Sequence, residues 1–225
     1  MTLGVTEAVT GRRSVRAYLD RPVGKDVLER VLEKAQCAPS GGNLQPWHCI
    51  VLTGAPLERL KAHIARSLPE GKAGWTPEYD VYPASLEAPY ADRRFDVGER
   101  MYESLNIARD DRDGRRKQFA HNYEAFGAPV LLLVHFPRYM GPPQWSDTGM
   151  WLQTLMLLLR EEGLESCAQE AWSMYQRQIR EIVPMPDDHI FFCGVAIGYA
   201  DPDNPVNRFP LGRAPMDEWA RFDGF

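Results

Sequence analysis

The 225-residue chain has few of the residues that cross-link or anchor a protein. No apolar run approaches the roughly 20 residues that cross a bilayer, and the first residues lack the apolar core of a signal peptide. Four cysteines lie far apart without a CxxC pair: Cys37, Cys49, Cys167 and Cys193. Their spacing favours free, buried thiols in a reducing compartment over disulfides. We therefore expect a cytoplasmic protein.

The chain also has no excess of positive charge. Its formal net charge is −5, from 26 lysines and arginines against 31 aspartates and glutamates. This balance argues against a general nucleic-acid or membrane-surface binder. With 44% hydrophobic and 25% charged residues, the composition is ordinary for a globular protein. We expect a single domain over 1–225 with a sizeable core.

Most of the short catalytic motifs are missing as well. The sequence contains no G-x-G-x-x-G after a strand, no G-x-x-x-x-G-K-[ST] and no G-x-S-x-G. Its five histidines are scattered without metal-ligand spacing, so we expect no metal. No acid–base pair or nucleophile is evident. If the protein is an enzyme, a bound organic cofactor is expected to carry the reaction.

One cationic segment stands out in this acidic chain. Arg12-Arg13-Ser14-Val15-Arg16 places three arginines within five residues. The planar guanidinium group suits phosphate because it gives two parallel, charge-assisted hydrogen bonds. A solvated charge run at the end of the first helix explains the same pattern.

The segment 39–47, Pro-Ser-Gly-Gly-Asn-Leu-Gln-Pro-Trp, separates a helical pattern from a strand. Its two glycines permit positive φ and close approach of a ligand. Ser40, Asn43 and Gln45 add donors and acceptors, and we expect the loop to present them to a flat polar ligand. An ordinary turn after a helix is the alternative.

Apolar patterns predict alternating helices and strands. Strands are expected over 47–53, 129–136, 164–169 and 189–198, and helices over 3–10, 25–38, 57–68, 98–126 (interrupted near 113–114) and 175–183. They predict an α+β fold with a mixed sheet flanked by helices.

One predicted helix is apolar nearly all round. After a break at Pro142-Pro143, Ser146 or Asp147 is expected to cap a helix running to about Gly163. Its apolar interior must be buried in a large core or between subunits. We favour a subunit interface, because 225 residues offer limited core.

Two stretches lack a regular pattern. Residues 69–97 combine prolines with aromatic residues, which is typical of a lid or binding loop; packing on a partner subunit is the alternative. The tail from 199 is rich in Pro, Asp and Asn and is expected to be irregular.

Four blocks together resemble the FMN-dependent nitroreductase superfamily. They are the arginine segment 12–16, the loop 39–47, the stretch 163–170, and the closing stretch from Gly198-Tyr199 to Leu211-Gly212-Arg213. They occur in the family's order and at its spacing, and they span nearly the whole chain. The resemblance implies a mainly antiparallel sheet flanked by helices, in an obligate homodimer with FMN in a cleft between subunits.

The resemblance also implies roles for individual residues. Arg12, Ser14 and Arg213 would bind the phosphate of FMN, and Arg16 would lie nearer the pyrimidine edge and stabilise the reduced flavin. The loop 39–43 would come from the other subunit, and 168–170 would pass the flavin N5 side with backbone amides. The complete predicted cofactor-binding set is Arg12, Arg13, Ser14, Arg16, Pro39, Ser40, Gly41, Asn43, Gln45, Ala168, Gln169, Glu170 and Arg213.

The implied activity is ping-pong, two-electron reduction of nitroaromatic or quinone-like acceptors by NAD(P)H through FMN, with no catalytic side chain. The alternatives are another FMN reaction of the superfamily, such as reductive dehalogenation or enone reduction, and a non-catalytic flavin-binding protein. The acceptor, the choice of NADH or NADPH, and the residues of 75–95 that contact substrate are left open.

Overall fold

A computed structural model describes residues 3–224 and contains one four-stranded antiparallel sheet. The strands are β1 His48–Thr53, β2 Val130–Pro137, β3 Glu165–Gln169 and β4 His189–Gly198, in the spatial order β1-β2-β4-β3. The two central strands, β2 and β4, are buried along almost their whole length. Their continuous apolar runs are what a strand covered on both faces requires.

Helices cover both faces of the sheet. They are α1 Val5–Gly11, α2 Lys25–Ala35, α3 Gly54–Ser67, α4 Tyr90–Ser104, α5 Arg112–Ala120, α6 Pro142–Glu161 and α7 Gln176–Ile182. On one face, α3, α7 and the 3₁₀ segment His121–Gly127 form a core cluster with the sheet. On the other face, α2 and α6 form a second cluster. The predicted α+β architecture is confirmed.

The start of α6 differs from the prediction. Pro142 and Pro143 do not break the chain but occupy the first helical positions, with Gly141 as the N-cap residue. Proline is well tolerated there, since the first amides of a helix have no intrahelical partner. Asp147, predicted as a possible cap, instead lies inside the helix and is buried.

The helices before β2 also differ in their bounds. The irregular stretch predicted over 69–97 is wrong over 90–97, because α4 begins at Tyr90. The interruption predicted at 113–114 lies inside α5, where the side chain of Asp111 caps the helix by accepting from the N–H of Gly114. The break between the two helices falls at 105–111. The predicted interruption at 113–114 is therefore wrong, and Asp111 starts the second helix.

The first part of the irregular stretch is attached to the body of the protein. Thr76 donates its N–H to the carbonyl of Met174, and the hydroxyl of Tyr79 donates to the carbonyl of Phe192. Trp75 packs against the core. Among the described residues, no helix combines the length and apolarity needed to cross a membrane.

Candidate cofactor site

The arginine segment lies along the free edge of β3. Ser14 forms a parallel bridge with Ser166, and the N–H of Val15 donates to the carbonyl of Ser166 at 3.2 Å. Val15 is buried, whereas Arg12 and Arg16 are half-buried. Because side chains alternate along an extended segment, burying Val15 turns its neighbours away from the core. The sequence therefore fixes the arginine side chains at the sheet edge.

Asn207, in the C-terminal tail, holds the same segment from the other side. Its Oδ1 accepts from the N–H of Arg16 at 2.8 Å, and its Nδ2 donates to the carbonyls of Ala17 and Asp201 at 2.8 and 2.9 Å. The residue is 6% exposed. Sequence reasoning did not identify Asn207, because one asparagine in a polar tail carries no local signal.

The four predicted cationic ligands form no direct salt bridge with a carboxylate of the described residues. Across residues 3–224, the guanidinium groups of Arg12, Arg13, Arg16 and Arg213 form no ion pair. Three of them donate to backbone carbonyls: Arg13 to Phe209, Arg16 to Ser14, and Arg213 to Gly212. Guanidinium groups without a salt-bridge partner, half-buried at Arg12, Arg13 and Arg16 and exposed at Arg213, fit a phosphate group.

A half-buried glutamate lies beside the arginine segment. Oε1 of Glu165 accepts from Nε of Arg160 at 3.0 Å, and Oε2 is buried without a hydrogen-bond partner among the described residues. Burial raises the pKa of Glu165, and the charges of Arg160, Arg12 and Arg13 oppose that rise. Arg160 also donates to the carbonyls at the end of α1, so it ties α6 to the start of the segment.

Arg16 lines a cavity of about 490 Å³ between the segment and the turn 121–127. Gln118, His121 and Glu124 contribute polar groups to its wall. Nε2 of Gln169 donates to the carbonyl of Asn122 at 2.8 Å, which joins this turn to the end of β3. Sequence reasoning missed these wall residues because 98–126 was interpreted as helices without a part in the site. The turn is revealed only by tertiary contacts.

The predicted loop 39–45 forms a compact turn at a different place. Gly42, Asn43 and Gln45 have φ of 57°, 58° and 49°. The hydroxyl oxygen of Ser40 accepts from the N–H of Gln45 at 3.0 Å, and Oδ1 of Asp147 accepts from the N–H of Gly41 at 3.2 Å. The positive φ at Gly42 agrees with the predicted use of glycine.

One chain does not bring the two motifs together. The loop contacts Asp147 near the start of α6, whereas the arginine segment begins beside Arg160 near its end. At 1.5 Å per residue, these two positions are about 20 Å apart along the helix. The loop and the arginine segment therefore contact opposite ends of the same helix.

The remaining predicted residues lie in exposed positions. Ala168 and Glu170 are exposed at the end of β3. Arg213 is exposed and lines a second cavity, of about 930 Å³, with Arg93 and Trp219. Within the described part of the chain, no contact joins Arg213 to Arg12. The described residues contain no cluster of His, Cys, Asp or Glu able to hold a metal ion.

Comparison with known proteins defines the class of this fold and site. The model of the Nitroreductase family matches residues 9–199. The chain is also 35% identical over 216 residues to a 4-nitrobenzoate reductase from Nocardioides sp. (strain LMS-CY), covering 95% of this chain and 87% of the relative. The chain therefore belongs to the nitroreductase family, and the resemblance identified from its four sequence blocks is confirmed.

Solved structures agree along the whole chain. It is 52% identical to an FMN and NADPH-dependent nitroreductase NfnB from Sphigopyxis sp. strain HMH, with a TM-score of 0.97 over 99% of this chain and all of that one. It is 31% identical to the FMN-dependent nitroreductase NfnB from Mycobacterium smegmatis, solved in complex with NADPH, with a TM-score of 0.92 over 97% of both chains.

Proposed function

We propose that this chain is an FMN-dependent NAD(P)H oxidoreductase that reduces nitroaromatic or quinone-like acceptors by two-electron, ping-pong transfer. The observation that carries the proposal is the set of guanidinium groups at the β3 edge that have no carboxylate partner. Full-length similarity to FMN and NADPH-dependent nitroreductases supports it. When bound, FMN accepts a hydride from NAD(P)H and passes the electron pair to the acceptor.

The residues at the β3 edge fit a phosphorylated cofactor. Arg12 and Ser14 would hold its phosphate, together with Arg213, through charge-assisted hydrogen bonds. Arg16 would hold the polar edge of the ring system. A cation there stabilises negative charge that develops on reduction, which favours two-electron over one-electron chemistry. The backbone amides of 168–170 would hold the N5 side of the flavin.

The cofactor would lie between two copies of the chain. The loop 39–45 and the arginine segment sit at opposite ends of α6, so one copy would contribute the segment and its partner the loop. The outer face of α6 supports this arrangement. Met150 is 38% exposed, and Leu157 and Leu158 are partly exposed. An apolar helix face left open in one chain is suited to a subunit interface.

The proposed acceptor class is a small aromatic compound with a nitro group. Relatives named for 4-nitrobenzoate and nitrobenzene reduction support this class. We also propose a cytoplasmic location. All four cysteines are free, and free thiols suit a reducing compartment.

The test is a comparison of acceptors under anaerobic conditions. FMN-reconstituted protein is mixed with NADPH or NADH and with 4-nitrobenzoate, a halophenol or an enone. We expect NADPH or NADH to be oxidised only when 4-nitrobenzoate is present. The nitro group should be reduced to the aryl hydroxylamine. If only the halophenol or only the enone were turned over, the activity would be another flavin reaction and not nitro reduction. Oxidation of neither nicotinamide would indicate a non-catalytic flavin-binding protein.

A further inference from the structure

Asp147 is a buried carboxylate that the predicted cofactor-binding set did not include. It lies on α6 and is 4% exposed. Its Oδ1 accepts from the N–H of Gly41, while its Oδ2 is buried without a hydrogen-bond partner among the described residues. Burying a carboxylate oxygen without a donor is unfavourable. The unfavourable burial of this oxygen indicates that Asp147 has a role beyond filling space in the core.

The carboxylate lies close to Gly41. A Cβ placed on this glycine would be 3.8 Å from Oδ2, so both carboxylate oxygens are near the same loop residue. Gly41 opens the turn in which Gly42 and Asn43 have positive φ. The Gly41 amide that Asp147 holds therefore lies directly before Gly42 and Asn43, the residues with positive φ.

A second contact fastens the far end of the same loop. The rings of Trp47 and Trp151 stack with their centroids 6.1 Å apart and their planes within 10°. Trp151 is four residues after Asp147 on α6, and residues with this spacing lie on the same helix face. Asp147 and Trp151 therefore attach both ends of the loop to one rigid helix.

We infer that Asp147 is a positioning residue for the flavin-binding loop: its carboxylate holds the Gly41 amide and so fixes the conformation in which 39–45 meets the cofactor. This inference rests on the proposed function. A turn with two adjacent glycines samples many conformations when it is free. Holding it before binding removes an ordering cost that would otherwise reduce affinity.

The test measures FMN affinity of the full-length apoprotein by flavin fluorescence titration, with dimer content checked by size exclusion. We compare Asp147→Ala, which removes the acceptor, with Asp147→Asn, which keeps an amide oxygen of the same reach. We expect the Kd for FMN to rise at least tenfold in the alanine variant, about 1.4 kcal/mol. The asparagine variant should stay within threefold of the unmodified chain.

Hydrogen exchange gives a readout that does not depend on FMN. In the apoprotein of Asp147→Ala, amides of 39–47 should exchange at least tenfold faster, while those of β2 stay unchanged. A matched control is Asp111→Ala, which removes another aspartate that accepts from a glycine amide, at 2.8 Å from Gly114. It should leave the FMN Kd unchanged.

Two results would overturn the inference: an alanine variant whose Kd stays within twofold, or an asparagine variant as weak as the alanine variant. An unmodified chain that takes up no FMN would instead contradict the proposed function. Failure of the inference and failure of the function are therefore distinguishable.

Discussion

The backbone N–H of Arg16 lies 2.8 Å from Oδ1 of Asn207, a residue 191 positions further along the chain. The same side chain also donates to the carbonyls of Ala17 and Asp201. The C-terminal tail, through the 3₁₀ helix Pro205–Asn207, therefore holds the N-terminal arginine segment in place.

Replacing Asn207 tests this connection. Asn207→Leu keeps a similar volume but leaves the N–H of Arg16 and two carbonyls without their partner. An unsatisfied buried group costs about 1–3 kcal/mol, so we expect the free energy of unfolding in urea to fall by roughly 3 kcal/mol. FMN affinity should fall as well. Asn204→Ala is the control, because Asn204 accepts from a single amide, that of Val206. If Asn207→Leu and Asn204→Ala have the same free energy of unfolding, the hydrogen bonds of Asn207 do not hold the arginine segment in place.

Arg213 is a proposed phosphate ligand whose removal should leave the fold intact. Its guanidinium group contacts the neighbouring carbonyl of Gly212 and is exposed. Losing a hydrogen bond to a charged group costs about 1.5–3 kcal/mol, so Arg213→Ala should weaken FMN binding at least tenfold without changing the melting temperature. Arg221→Ala removes another exposed arginine of the same tail. Equal FMN titrations for the two variants would reject the assigned role.

The two buried histidines at one end of the sheet, His135 and His189, predict a loss of stability in acid. His135 and His189 have their Nδ1 atoms 2.8 Å apart, and the ring of His48 stacks on His135. Burial, together with the charges of His189, His48 and Arg180, lowers the pKa of His135 to about 4. Burial likewise lowers the pKa of His189, against a smaller opposing effect of Asp188.

The direction of this pH dependence follows from comparison with the unfolded chain, in which histidine has a pKa of about 6.5. Well above pH 6.5 the imidazole of His135 is neutral in both the folded and the unfolded state, so its contribution to stability is fully present. As the pH falls from 6.5 towards 4, the unfolded state binds protons that the folded state does not, and stability is lost. We expect a loss of roughly 1–2 kcal/mol by pH 5, after allowance for screening. In urea unfolding at several pH values, His135→Gln should flatten the profile; an unchanged slope would contradict the assignment.

Gly194 on β4 packs so closely against Trp172 that no side chain fits at this position. A Cβ at this position would lie 2.5 Å from Cδ1 of Trp172, and Trp172 is fully buried. Gly194→Ala should therefore destabilise the protein by about 1–3 kcal/mol, the usual cost of overpacking. The control is Gly98→Ala in α4, where a Cβ meets nothing within 4 Å. That change should be neutral or slightly stabilising, as measured by thermal unfolding.

The fold was largely predictable because its strongest signals are local. The continuous apolar run of β2 and the amphipathic pattern of α2 both appear at the expected places. The start of α6 was predicted wrongly because proline was interpreted as a breaker when it occupies the first turn of the helix. The interruption predicted near 113–114 lies inside α5, because Asp111 caps the N-terminus of that helix.

The candidate site was predictable only in part. The arginine segment and the loop 39–45 could be identified from unusual local composition. Asn207, Asp147 and the turn 121–127 could not be identified, because their roles depend on contacts between distant parts of the chain. Site residues held by long-range contacts leave no local pattern, so the structure is needed to find them.

The most direct test of the central claim is the visible spectrum of the protein with FMN, recorded before and after anaerobic addition of NADPH and again after a nitroaromatic acceptor. We expect a bound flavin that loses its visible absorbance with NADPH and regains it with the acceptor. A protein that takes up no FMN, or one whose bound flavin neither nicotinamide bleaches, would contradict it.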